Sequence, residues 1–113
     1  HVNAHGTGTQ ANDECEAAAL HLVFGAGAAS IPLTSTKSSL GHGFAASGAI
    51  EAVLSAMSLR EQVIPPTLNF SEPDDVTKGL DVVTKARHHE FDTVLSNSFG
   101  FGGTNASLIV GPV

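Results

Sequence analysis

The chain has 113 residues, of which 42% are apolar and 14% charged, with 12 Gly, no Trp or Tyr and a net charge of −6. That length holds at most one domain with a modest core, and so few charges beside so many glycines suggest that further protein covers much of its surface. Five scattered Lys and Arg residues in an acidic chain cannot neutralise phosphates, which argues against nucleic-acid binding. A single Cys excludes an internal disulfide framework and agrees with a reducing compartment. The longest small-apolar stretch, around residues 43–54, is broken by glycine and Glu51, so no membrane span or signal segment is read.

His1-Val2-Asn3-Ala4 already reads as a strand, so the chain is expected to be a piece of a longer protein. This strand delivers His5 into Gly6-Thr7-Gly8-Thr9. Asn12 or Asp13 is expected to cap a helix running to about Phe24, with Glu14 and Glu16 in its first turn and Ala17, Leu20 and Phe24 on its buried face. Gly25-Ala26-Gly27 ends it. Residues 31–35 read as a second short strand, feeding the loop Thr36-Lys37-Ser38-Ser39-Leu40-Gly41-His42.

A helix is then predicted from Gly43 to Arg60. Its first turns (Ala45, Ala46, Ser47, Gly48, Ala49) are small enough for another backbone to pack closely, and Ile50, Val53, Leu54 and Met57 form one apolar stripe. Pro65-Pro66 requires an extended segment, residues 67–78 read as surface loop, and Asp81-Val82-Val83 is a brief strand. Thr93-Val94-Leu95-Ser96 and Ala106-Ser107-Leu108-Ile109-Val110 flank nine residues rich in Gly, predicting a hairpin with a long functional loop. The order strand, helix, strand, helix, hairpin indicates an α/β fold, a mixed sheet with packed helices.

Three loops carry the chemistry. His5 and His42 each lie among small residues, which leave an imidazole edge accessible and bring backbone N–H groups near whatever it touches. That pattern suits a developing negative charge on oxygen better than it suits a core. A helix start after His42 disfavours an imidazolium and favours a neutral ring donating from Nε2. Lys37 shares that loop and needs a partner, for which Glu16 is the candidate. Thr7 and Thr9 could cap the following helix or bind a polar ligand chain. Asn97-Ser98-Phe99-Gly100-Phe101-Gly102-Gly103-Thr104-Asn105 reads either as a plain turn or as a nest of N–H groups flanked by Phe99 and Phe101.

Other signals are weaker. His1 and His5 lack an acidic partner for a metal, so no metal site is assigned. Gly25-Ala26-Gly27 is a helix stop rather than a dinucleotide fingerprint, and His88-His89 is solvated surface. Cys15, between Glu14 and Glu16, is a poor thiolate, so the attacking group of any such site lies elsewhere.

Taken together, Val2 to Thr9, Ser35-Thr36-Lys37-Ser38 with Gly41-His42, Pro65-Pro66-Thr67-Leu68-Asn69 and Asn97 to Asn105 resemble, in order and spacing, the C-terminal half of a β-ketoacyl-(acyl carrier protein) synthase. The likeness is greatest to the elongating synthases of fatty-acid synthesis and extends to polyketide ketosynthases. It implies a thiolase-like fold of two similar α/β halves, each with a five-stranded mixed sheet, assembled as a homodimer. Residues 1–113 would be the C-terminal domain of a larger two-half acyltransferase, not active as an isolated chain.

In that family a cysteine of the N-terminal half takes the acyl chain. Malonyl-carrier protein then loses carbon dioxide, and the carbanion condenses with the thioester. Carried over by position, His5 and His42 hold the malonyl carbonyl and stabilise the enolate, while Lys37, paired with Glu16, supports the loop. Thr7 and Thr9 contact the phosphopantetheine arm. Phe101, with Phe99, forms an aromatic gate beside the nucleophile, backbone N–H groups of the glycine loop, Phe101 included, help form the oxyanion hole for the condensation step, and Gly102 and Gly103 bind substrate.

No covalently held cofactor is implied, since the substrate arrives on the phosphopantetheine of acyl carrier protein. Carrier protein and the N-terminal half are the implied partners, with no nucleic acid or membrane, and the implied compartment is the cytoplasm or, alternatively, a plastid or mitochondrial matrix. The sequence departs from the family pattern at Gly8 (commonly Ser), Phe44 and Ala45 (commonly Leu and Gly) and Ser47 (commonly Ala). The competing expectations are a polyketide ketosynthase domain and a non-catalytic partner subunit. Retention of His5, Lys37 and His42 favours the enzyme.

Overall fold

In the computed structural model, which describes residues 1–112, strand β1 (Val2–Asn3) leads through the His5 loop into helix α1 (Gln10–Phe24). The helix begins three to four residues earlier than expected because Thr9, in extended conformation, caps it, its Oγ1 accepting the Asn12 N–H at 3.3 Å. Asn12 and Asp13 therefore lie inside the first turn. Ala17 and Leu20 are buried as expected and Phe24 half-buried, but Glu16 is buried with them.

A 3-10 segment (Gly25–Ser30) leads into strand β2 (Pro32–Thr34), with Pro32 at the strand's first position, where a missing N–H costs least. The loop after β2 contains one helical turn, α2 (Lys37–Leu40), closed by Gly41 in a backbone conformation of φ 79°. A 3-10 turn (Phe44–Ala46) precedes α3 (Ser47–Glu61), so the helix expected from residue 43 starts four residues later.

Strand β3 (Val63–Ile64) pairs antiparallel with β5 (Arg87–His88), a short pairing that sequence patterning missed. It is tied to Asp81 of β4 (Asp81–Val82) by a two-pronged Arg87 contact, 3.2 and 2.6 Å. Strands β6 (Val94–Phe99) and β7 (Asn105–Val110) make the closing hairpin. The strands are longer than expected and the connection correspondingly shorter, because Asn97 to Phe99 and Asn105 are in register with the partner strand (Phe99↔Asn105).

The five-stranded sheet has the order β4-β2-β1-β6-β7, parallel except for β7. Alternation along β6 assigns the two faces. Asn97 bonds Glu16 of α1 on one side, while Ser98 approaches Gly48 of α3 on the other, so helices cover both faces.

Within this chain alone, α3 turns a polar side inward and leaves most of its expected apolar stripe uncovered, with Leu54 half-buried. Ser47, Glu51, Ser55 and Ser58 face inward, whereas Ile50, Val53 and Met57 are 42%, 60% and 45% exposed. Three of the inward groups have polar partners that a periodicity count does not see: Ser47 meets His42, Glu51 meets Lys37, and Ser58 donates to the Val63 carbonyl at 2.5 Å, whereas the buried Ser55 hydroxyl has none among the described residues. The apolar side faces out, as do Leu108 and Ile109 of β7, 49% and 71% exposed.

Candidate active site

The neighbouring parallel strands β2, β1 and β6 end at one edge of the sheet, and the residues following them converge there. In sheets of this kind ligands bind in the crevice beyond the carboxyl ends of the strands. The His5 imidazole packs edge-to-face against His42, with centroids 5.6 Å apart and planes at 85°, and Phe99 lies 5.6 Å from His5 at 51°. His5 is buried and His42 exposed.

Below them a cavity of about 540 Å³ extends from Gly6, Thr7, Lys37 and His42 to Leu80 and Val82. Gly6 admits no side chain: its φ is +49°, and a Cβ would lie 2.4 Å from Ser35 Oγ, which donates to the Gly6 carbonyl.

The His5 loop is held from behind by Glu16, and the expected pairing of Glu16 with Lys37 is not formed. Both Glu16 oxygens are filled by N–H groups. Oε1 accepts from the His5 backbone (2.9 Å) and Asn97 Nδ2 (3.2 Å), Oε2 from the Gly6 backbone (3.0 Å) and Asn12 Nδ2 (3.1 Å). A buried carboxylate with four donors needs no cation.

Lys37 turns instead to Glu51 of α3, forming a short buried ion pair, and donates also to the His5 carbonyl at 2.5 Å. By its spacing alone Glu51 reads only as an interruption of an apolar stretch. Its signal was a lone carboxylate at i+4 from Ser47 and i−4 from Ser55. Burial pushes the Glu51 carboxyl above its usual range, with the Lys37 ammonium opposing, so desolvation outweighs the pairing.

His42 departs from the expected position directly on a helix start, because α3 begins at Ser47. Its ring orientation follows from hydrogen bonds: the Phe44 backbone N–H donates to Nδ1 at 3.0 Å, and the Ser47 hydroxyl is 3.1 Å from the same atom. A backbone N–H can only donate, so Nδ1 is bare and the proton of the neutral ring sits on Nε2.

His5 is held below the ordinary histidine value, first by burial, then by Lys37 and His42, with Glu16 opposing. The unfolded chain therefore takes up this proton more readily than the folded one. The stability contributed by neutral His5 is present above 6.5 and is lost as pH falls from there through the lowered folded value. We expect an NMR titration midpoint for His5 below 6.5; a midpoint at or above it would refute this assignment.

The other expected site residues are less concentrated. Thr9 is the helix cap and its hydroxyl lies 3.1 Å from that of Thr7. Phe101 is fully exposed in a 3-10 turn with Gly102 and Gly103, both at positive φ, so of the two loop phenylalanines Phe99 alone stands beside His5. Among the described residues no helix is long and apolar enough to cross a membrane.

Residues 1–71 match the beta-ketoacyl synthase C-terminal domain, and the chain belongs to that family. It is 45% identical over its whole length to 3-oxoacyl-[acyl-carrier-protein] synthase 2 of Coxiella burnetii, covering 27% of that protein. It is 50% identical over 97% of its length to the synthase 2 of Rhizobium meliloti, covering 26%. The chain thus spans about a quarter of the curated relatives it matches. Among solved structures it is similar to a ketosynthase bound to a hexaketide and in complex with its type II polyketide acyl-carrier protein (TM-score 0.94, 34% identity, 99% of this chain and 28% of that one).

Proposed function

We propose that this chain supplies the enolate-stabilising part of a 3-oxoacyl-(acyl carrier protein) synthase. The observation that carries the reading is the convergence of His5 and His42, from separate loops, into one edge-to-face pair at the carboxyl end of the sheet. In the reaction, the bond between the malonyl carboxylate and Cα breaks and carbon dioxide leaves. The electron pair moves onto the thioester oxygen, where N–H groups of the two neutral imidazoles receive it. The carbanion carbon then attacks an acyl thioester on a cysteine outside this chain, and that thiolate departs.

Lys37, Glu16 and Glu51 position the loops, and Thr7 and Thr9 receive the phosphopantetheine arm of the carrier protein. Phe99, Phe101 and the Gly102–Gly103 backbone line the acyl side. Cys15, the only cysteine, lies exposed on α1 beside two carboxylates, which supports a nucleophile from an N-terminal half. In this reading residues 1–113 are one domain of a two-half, homodimeric, cytoplasmic enzyme. Fatty-acid elongation is favoured by the two bacterial relatives, at 45% and 50% identity. The polyketide reading rests on the likeness to the hexaketide-bound ketosynthase, at 34%.

The test is carbon dioxide release from malonyl-carrier protein. We expect release by the full-length protein that carries this chain and none by residues 1–113 alone. No release from folded full-length protein would establish the non-catalytic partner reading instead.

A further inference from the structure

We propose that Ser47 is a positioning residue for His42, an inference that uses the functional reading above only for what His42 then does. Nδ1 of His42 already has a donor in the Phe44 N–H, so it carries no proton, and the Ser47 hydroxyl 3.1 Å away can only donate to it. Two donors thus share the single lone pair of Nδ1, and the one proton of the neutral ring is committed to Nε2. Ser47 is buried at the first residue of α3, and this is the one hydrogen bond its hydroxyl makes among the described residues.

Phe44 supports the same geometry. Its φ of +49° is a left-handed conformation that a bulky side chain rarely adopts. That conformation aims the Phe44 N–H at Nδ1, and its ring lies on the imidazole, centroids 5.1 Å apart and planes at 23°. Phe44 and Ser47 therefore meet on one catalytic candidate.

The experiment reads the ring nitrogens of His42 by long-range proton–nitrogen NMR in the full-length protein labelled with 15N-histidine, comparing wild type with Ser47→Ala and Ser47→Thr. Wild type is expected to hold the proton on Nε2. Ser47→Ala should shift the Nδ1 signal and let the Nδ1–H tautomer grow, with kcat for carbon dioxide release falling about three- to tenfold, the loss of one neutral hydrogen bond, at nearly constant KM. Ser47→Thr, which keeps the hydroxyl, should restore both. Unchanged nitrogen signals in folded Ser47→Ala overturn the proposal. Signals that move as expected in a wild-type protein that releases no carbon dioxide support Ser47 as positioning residue and refute the functional reading.

Discussion

Replacing Lys37 with Ala is expected to destabilise the fold by about 3–5 kcal/mol at neutral pH, the typical cost of breaking one side of a buried ion pair. The ammonium serves two acceptors, Glu51 and the His5 carbonyl, and both lose it inside the protein. Glu51 is 2% exposed and its Oε2 has no partner, so the carboxylate would be left with neither water nor cation. Its only relief is to bind a proton.

That gives the effect a pH dependence of known sign. The Glu51 carboxyl is already raised by burial above 4.5, and without Lys37 it rises further. The penalty should therefore be largest at neutral pH and shrink as pH falls toward 4.5, where the unfolded chain protonates the same group. Urea unfolding at several pH values measures this. A double variant, Lys37→Met with Glu51→Leu, should recover most of the loss, since an apolar pair of similar volume removes both charges. A Lys37→Ala protein within 1 kcal/mol of wild type at neutral pH would contradict the buried-pair assignment.

The second large effect falls on activity. His5→Ala and His42→Ala in the full-length protein should each lower kcat for carbon dioxide release by about a hundred- to a thousandfold, as for removal of one oxyanion-hole donor. The double variant should lose less than the product of the two, because both rings serve one oxygen. If His42 acts as a neutral Nε2–H donor, its replacement by Gln, which keeps an N–H, should retain more activity than Ala; a proton-transfer role would predict equal losses. Steady-state release of labelled carbon dioxide distinguishes these outcomes. A kcat within tenfold of wild type in either Ala variant would exclude that ring as an enolate donor.

The two tests separate stability from chemistry. Lys37 and Glu16 act on the His5 backbone, one at its carbonyl and the other at its N–H. Loss of either should be visible in unfolding before it is visible in turnover. His42 depends on neither; its nearest restraints are Phe44 and Ser47.

What the sequence determined by itself was whatever depends on near neighbours along the chain. Small residues around His5 and His42, the helix after Thr9, the break at Pro65-Pro66 and the hairpin around Gly100 are local facts of backbone conformation and side-chain size, and they sufficed for the fold class and the three loops. Tertiary structure decided which carboxylate meets which cation and which side of α3 is covered. Glu16 and Glu51 are equally acidic as letters. Glu16 lies where four N–H groups point at it, whereas Glu51 lies where only Lys37 does. For the same reason an apolar stripe at helical spacing could not reveal that Ser47, Glu51, Ser55 and Ser58 face inward. The partner of a buried charge such as Glu51 comes from another segment, and its arrival is decided by tertiary packing rather than by helical spacing.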